Sequence, residues 1–512
     1  MSYPKQLLRL QPKRGFISDT ADQEASEEFY TQCSNVTFRD GFATRITGTR
    51  PIYEPEIANI VPTGLYHCIN TILSGATWWL LFQEDGTAHA IQAGVVSQID
   101  NGLLSPTSRP WQYSSALING IPVISNSLDE PVYWGGSGNV LPLPDWPATE
   151  SCKSISVLQY HIFACNISAV GGSFPNTVRW SNATEPGTVP GEWTPTAEND
   201  AGSVTLSDMA GGIFCAVPLG DSLFIYGRTD TYQATYVGGQ NVFSFRKVNS
   251  ANGALSPRSV CDIGGAHLVV TDGDIIISNG TSSKSIGESR VKEWLFDQMN
   301  TSEFLQVFCV YNPVRDEVLI GFPTSASQYC DAALVYDISR DAFGVVTLPQ
   351  VTHSAIGRVL DATLADTWAN RTEVWADANY PWAASFASSA VDSAVLLTLT
   401  DFIKTDSLTP TQVTALIGRS GLTFGDPERI KFIKSVRIRT RKSYGELFVK
   451  VGGQMTANGA TTWSNEVRMT ANDEIANCFA IGRYMAVSIR SVDSVPWKLT
   501  GIDLEAELRG YY

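Results

Sequence analysis

The stretch Cys33-Ser-Asn-Val-Thr-Phe-Arg-Asp-Gly-Phe-Ala-Thr-Arg-Ile-Thr-Gly-Thr-Arg-Pro-Ile-Tyr53 decides the reading of this chain. Val36 and Phe38 alternate with polar neighbours up to Asp40-Gly41, and Phe42, Thr44 and Ile46 alternate after it. Two alternating runs joined by Asp-Gly predict a short β-hairpin, because both central residues of a type I′ turn need positive φ. Gly takes that conformation freely and Asp tolerates it. Gly48 and Pro51 then end the second strand. A hairpin that is apolar on one face is marginal alone. It must therefore complete a sheet supplied by later residues.

Working outward, the region from about 60 to about 350 repeats one theme: a β-rich run, a turn with Gly, Asp or Asn, and a second β-rich run. Trp78–Phe82 and Ala88–Ile91 flank Asp85-Gly86; Ile121–Asn126 precedes Pro131–Trp134; His161–Cys165 precedes Thr177–Trp180. Leu223–Tyr226 with Thr231–Tyr236, Leu268–Thr271 with Asp274–Ile277, and Glu317–Phe322 with Ala333–Tyr336 and Ala342–Val346 continue the series. The units start roughly 40 to 60 residues apart, the spacing of four-stranded propeller blades rather than of helical solenoids. The expected fold class is all-β: a β-propeller of six blades, seven if residues 393–425 add another, with a C-terminal antiparallel β-sandwich and the hairpin as an N-terminal clasp. Two stacked sandwiches and a lectin-like barrel are the alternatives. The expected division is 1–55 for the arm and clasp, 56–355 for the propeller, 356–430 for a connecting region, and 431–512 for the sandwich. The clasp residues are Phe38, Asp40, Gly41 and Ile46, expected to pair with strands near 318–346.

The order Asn-Val-Thr-Phe-Arg-Asp-Gly-Phe, then Arg-Ile-Thr-Gly, resembles the opening of tail nozzle and hub proteins of short-tailed bacteriophages, whose form is N-V-x-F-x-D-G-x-x-x-R-x-x-G. Trp180-Ser-Asn-Ala-Thr-Glu-Pro-Gly187, Trp193 and Asp200-Ala-Gly202 are similar to a long loop of that family, and Trp497–Glu505 is similar to its last strand. The resemblance implies a non-enzymatic virion protein: a homohexamer below the portal and adaptor, seating fibre or tip proteins. It also implies a channel that holds, gates and passes double-stranded DNA without sequence specificity. Such a subunit belongs to the virion tail and assembles in the host cytoplasm. The resemblance makes Trp180, Glu185, Trp193 and Asp200 a candidate gate or subunit-contact loop, and removal of residues 176–200 is expected to spare folding of the monomer but impair assembly or genome retention.

The bulk properties agree with a folded protein: 512 residues, 43% of them hydrophobic, with a formal charge of −15. That charge argues against general adhesion to nucleic acid, which needs clustered Lys and Arg. An acidic channel wall would instead repel the phosphate backbone and let it slide. Nine cysteines, odd in number and without Cys-x-x-Cys spacing, read as buried thiols from a reducing compartment. The first residues contain no apolar run of signal-peptide type, and no run of about eighteen apolar residues occurs, so neither secretion nor a membrane span is expected.

The basic arm Lys5, Arg9, Lys13 and Arg14 is either solvated or docked on an acidic neighbour. Ala21–Tyr30 reads as a short helix or turn. In the most basic run, Lys431–Lys442, Arg437, Arg439 and Arg441 share one face of a strand, followed by Lys442. That face is either solvated or a patch for an acidic neighbouring subunit, with phosphate contact a weaker reading. Five histidines without metal spacing and the absence of nucleophile-elbow, phosphate-loop or dinucleotide signatures leave no catalytic, cofactor or metal residues to assign. A propeller glycosidase or depolymerase remains the enzymatic alternative, its carboxylate pair not selectable without geometry. A monomeric recognition propeller is the other.

Overall fold

The computed structural model describes residues 4–53, 61–70, 76–92, 95–239, 241–249, 252–358, 392–405, 412–441 and 444–511. The chain is nearly all β, at 53% strand and 3% helix, which sets aside helical architectures. Five separate four-stranded antiparallel sheets follow one another along the sequence, beginning at Pro62–Asn70, Ser114–Ile118, Ser151–Leu158, Ile213–Leu219 and Val260–Asp262. Each is a meander of consecutive strands. This is the recurring element of a β-propeller, and the arrangement is consistent with a propeller accompanied by a β-sandwich.

The strands of these sheets are apolar in continuous stretches, because both of their faces are covered. Alternate side chains of a strand point to opposite faces, so one strand feeds two interfaces. Val123 packs toward the third sheet with Trp146 and Ile155, while its neighbour Ile124 packs toward the first with Leu80 and Phe82. Ile162 and Phe163 divide in the same way between the second and fourth sheets. Leu223 and Phe224 divide between the third and fifth.

The strand Ala342–Arg358 changes partners along its length. Its first part pairs with Cys330–Asp337, and its second part, after a register shift, pairs with Asp392–Thr398. Asp392–Thr398 pairs with Phe402–Lys404, which pairs with Arg50–Tyr53 from the other end of the chain. Leu65 and Leu81 of the first sheet pack on Val395, Leu397 and Phe402 of this group.

The C-terminal residues build two sheet layers. Lys498–Tyr511 lies between Lys5–Leu10 and Arg429–Thr440, and Ala480–Gly482 is beyond the latter. Facing it, a six-stranded sheet contains Leu447–Gln454, Tyr484–Ser491 and Ala415–Leu422, with Gln32–Ser34 at one edge. Ala415–Leu422, read from sequence as part of a connecting region, thus pairs with C-terminal strands. Ile433, Val436, Val449, Val487 and Leu504 form the core between the layers.

Residues 21–30 contain turns and no α-helix. The single α-helix among the described residues, Lys292–Gln298, has no capping side chain of its own. Its start is instead capped from far away: the Asp19 carboxylate accepts from the backbone N–H groups of Glu293 at 2.8 Å and Trp294 at 3.0 Å. The three tryptophans 368, 375 and 382, and residue Lys442, lie outside the described residues.

Candidate functional site

The hairpin forms between Val36–Arg39 and Phe42–Arg45, with Asp40 at φ 52° and Gly41 at φ 77°, the conformation that a type I′ turn requires. Its inward face differs from the sequence reading on the second strand. A two-residue turn places Arg39 opposite Phe42, Phe38 opposite Ala43 and Val36 opposite Arg45. Val36, Phe38, Ala43 and Arg45 are therefore buried together, whereas Phe42, Thr44 and Ile46 are only partly covered. Pairing register, not hydrophobicity, chose the face.

Most residues of the opening stretch have a physical task here. Asn35, with φ 56°, bends the chain into the hairpin through a conformation that Asn tolerates better than most residues. Its Oδ1 accepts from the backbone N–H and the hydroxyl of Thr347, each at 2.8 Å, and its Nδ2 donates to the Thr414 carbonyl at 2.8 Å. One buried amide thus ties a propeller-side strand to the segment entering the six-stranded sheet. Arg45, 1% exposed, donates to the carbonyls of Ile46 at 3.2 Å, Val413 at 3.0 Å and Asp493. Phe38 sits in the large core with Leu334, Tyr336 and Phe343, and Ile46 packs on a second cluster with Val346, Leu396 and Ile403. Arg39 forms a two-pronged ion pair with the buried Glu317, at 2.8 Å for each prong. Val36 pairs with Val345, and Ala43 and Thr44 pair with Leu499 and Lys498, so the hairpin lies between the strand Ala342–Arg358 and the final strand. Asn35 and Arg45 were not singled out as site residues in the sequence. Their signal was available: an Asn directly before a strand, and an Arg on the apolar face once register is counted.

Lys5 and Arg9 of the basic arm and Lys434 and Arg439 of the basic strand meet the same acidic ladder. On the solvent side of the final strand, Asp503, Glu505 and Glu507 follow at every second position. Lys5 lies 2.8 Å from Glu505, Arg9 2.8 Å and Arg439 2.6 Å from Asp503, and Lys434 2.5 Å from Glu507. The acidic neighbour of Lys5 and Arg9 is thus the chain's own end, whereas Lys13 and Arg14 pair with Glu28, each at 3.2 Å. Burial pushes the Asp503 carboxyl up, but hydrogen bonds from Arg9 and Arg439 outweigh it and hold it below the usual carboxylate range. Glu505 is held low first by its hydrogen bond from Lys5. Arg437 and Arg439 are exposed, as the alternation predicts, and Arg441 stacks over the Phe42 ring at 5.5 Å. Lys431, the first cation of the run, is fully buried and donates to the carbonyls of Asp426 and Arg483; burial brings its ammonium down to about 8. Arg437 is exposed, and its charge adds to those that hold Glu505 low.

The loop between Gly172–Trp180 and Gly202–Thr205 is packed rather than free. Trp180 stacks among Phe163, Phe243 and Phe245, and its Nε1 donates to the Asp200 carbonyl at 2.7 Å. Trp193, 2% exposed, meets Trp146 edge-on at 4.7 Å in the core between the second and third sheets. Asn119 of the second sheet donates to the Glu185 and Thr188 carbonyls at 3.0 and 3.2 Å. Glu185 itself is exposed. The expectation that residues 176–200 can be removed without harm to folding fails on this geometry, since the segment holds part of two cores.

All nine cysteines are free thiols, eight of them buried, and burial raises Cys68, Cys152 and Cys215 to about 12. Among the described residues no group of three or more His, Cys, Asp or Glu is placed to hold a metal. Among the same residues no helix is long and apolar enough to cross a membrane.

No family model matches this chain, and no curated protein matches it. Among solved structures, a fungal alcohol oxidase of the AA5 family, in complex with copper, is similar over 90% of this chain and 99% of its own, at 10% identity and a TM-score of 0.39.

Proposed function

We propose that this chain is a structural ring subunit of the phage-tail nozzle or hub type. The observation that carries the proposal is the stitching of its first 53 residues. Lys5–Leu10 pairs with the final strand, Gln32–Ser34 with Ala415–Leu422, Val36 with Val345, and Arg50–Tyr53 with Phe402–Lys404. Four strands from one end of the chain are thereby fixed into sheets made by residues hundreds of positions away. Such long closures leave little freedom for the two parts of the molecule to hinge, which suits a component that must resist a packed genome. The order of motifs along the chain supports the same reading.

Within that proposal the propeller has seven blades. Support comes from the group made by the second part of Ala342–Arg358 with Asp392–Thr398, Phe402–Lys404 and Arg50–Tyr53, which has four strands like the five separate sheets. Its contacts with the first sheet would close the ring. On this reading Arg50–Tyr53 is the closing strand, and the hairpin before it is the bridge between propeller and sandwich.

The axial cavity between the inner strands has a volume of about 230 Å³. At about 30 Å³ per water in the liquid it holds a few small molecules, not a duplex. DNA would therefore pass between subunits of a homohexamer whose acidic surfaces repel phosphate, seated on adaptor and portal and holding fibre or tip proteins. Arg437 and the exposed part of the loop around Glu185 are offered as subunit contacts. Mass measurement of the purified chain, alone and with the tail adaptor complex, tests the proposal. A hexamer, or a monomer that becomes a ring on the adaptor, is expected; a monomer indifferent to both overturns it.

A further inference from the structure

The axial cavity has a composition unlike the rest of this acidic protein. The residues lining it include Lys153, Arg258, His353, Tyr66, Tyr113 and several serines, with no Asp or Glu among them. They come from the first strands of successive sheets and from the second part of Ala342–Arg358, which bring together residues nearly 300 positions apart in sequence.

Several polar groups in this wall have no protein partner. His353 is 3% exposed, and its ring has the adjacent Ser354 backbone beside it but no hydrogen bond of full geometry to either ring nitrogen among the described residues. The Tyr66 hydroxyl is buried and unpaired, with its ring edge-on to His353 at 5.1 Å. Arg258 spends its Nη1 and Nη2 on the carbonyls of Thr352 at 2.8 Å and Gln306 at 3.2 Å, which fixes the guanidinium while leaving its Nε unpaired. No ion pair of Lys153 or Arg258 is found among the described residues, and Lys153 is the exposed member of the set.

Buried donors without acceptors are costly, and the half-buried Arg258 guanidinium without a counter-charge adds to that cost. Neutral acceptors alone satisfy the hydrogen bonds but not the charge. A metal cation is disfavoured by the positive charges of Arg258 and Lys153 and by the missing carboxylates. A compact oxyanion satisfies both demands, since each of its oxygens accepts several hydrogen bonds. We infer that the axial cavity is a binding site for a small free oxyanion of the phosphate or sulfate type, held by Arg258 and Lys153 with Tyr66 and His353 as hydrogen-bonding neighbours. Lys153 stands at the mouth and draws the anion in; Arg258, clamped by two carbonyls, is the fixed seat.

The test is titration calorimetry and thermal melting of the full chain with inorganic phosphate, then sulfate, at ionic strength held constant with sodium chloride. A saturable heat and a rise in melting temperature are expected with phosphate. Lys153→Ala, at an exposed position without an ion pair, is expected to melt unchanged without phosphate and to bind it about tenfold more weakly, the loss of one charge-assisted hydrogen bond. Tyr66→Phe keeps the ring against His353 and removes only the hydroxyl, and a weakening of a few-fold is expected. No saturable binding at up to tens of millimolar would mean that the cavity holds water alone and would overturn the inference. Phosphate binding that both variants leave unchanged would place the anion elsewhere and overturn it equally.

Discussion

Replacement of Asn35 separates what a backbone conformation contributes from what one amide's hydrogen bonds contribute. The Asn35 side chain is 4% exposed and joins Thr347 to Thr414 through three contacts of 2.8 Å. Asn35→Ala removes three hydrogen bonds at about 0.5–1.5 kcal/mol each, because Thr347 and Thr414 sit at exposed positions where water can take the place of the amide. Holding Ala at φ 56° adds about 1–2 kcal/mol. The sum is about 2.5–6.5 kcal/mol, enough to release the hairpin locally. Asn35→Gly removes the hydrogen bonds without the conformational strain and is expected to recover about 1 kcal/mol relative to Ala. Because a chain of this size need not unfold in one step, hydrogen exchange read peptide by peptide is the suitable assay. Peptides covering 33–47, 342–349 and 412–418 are expected to exchange at least about a hundredfold faster in Asn35→Ala, the equivalent of about 3 kcal/mol. Exchange in these peptides within threefold of the unmodified chain would refute the reasoning, and so would Gly proving worse than Ala.

Other consequences can be checked alongside. A Cβ on Gly344 would lie 2.5 Å from the Val36 carbonyl oxygen, so Gly344→Ala should force the hairpin off the strand beneath it and lower stability by about 1–3 kcal/mol, seen as a fall in melting temperature with faster exchange at 33–47. Trp193→Ala should cost about 3–5 kcal/mol, whereas Glu185→Ala on the same loop should stay within about 0.5 kcal/mol; equal effects in thermal melts would contradict the packed-loop description. Burial, aided at His353 by the Arg258 charge, keeps His267 and His353 below the usual histidine range. The unfolded chain then binds protons that the folded chain does not, so stability is complete above about pH 6.5 and falls on acidification, by up to about 1.4 kcal/mol per pH unit for each histidine. Melting at pH 7.5 and 5.5 should show that direction, and greater stability at pH 5.5 would contradict it. Asp503→Asn should loosen both the arm and the basic strand, since Arg9 and Arg439 share that one carboxylate; faster exchange confined to one of the two would show that they are independent.

The stretch 33–53 announced its hairpin because a turn is a local event: Asp40-Gly41 determines φ at two positions, and nearest neighbours suffice to read it. The four-strand meanders were legible for the same reason, as successive strands pair with the next in sequence and the turns between them carry Gly, Asp or Asn. The reading of the cysteines as free thiols followed from their odd number and scattered spacing. What sequence alone left undecided involved partners far along the chain. Whether Lys5 and Arg9 are solvated or docked depended on the acidic ladder 503–507, and only folding brings the two ends together. Trp193 lies in a stretch rich in Gly and Pro that reads as a surface loop, yet its ring fills the space beside Trp146. Arg45 reads as a polar residue and is buried because three carbonyls from distant segments converge on it. Pattern and turn chemistry determined that this protein is built of repeated antiparallel sheets, since those signals act over a few residues. The tertiary structure decided which face of the hairpin is inside, which end of the chain completes which sheet, and which charges gather around the cavity between the sheets, since each depends on contacts whose closure no local signal encodes.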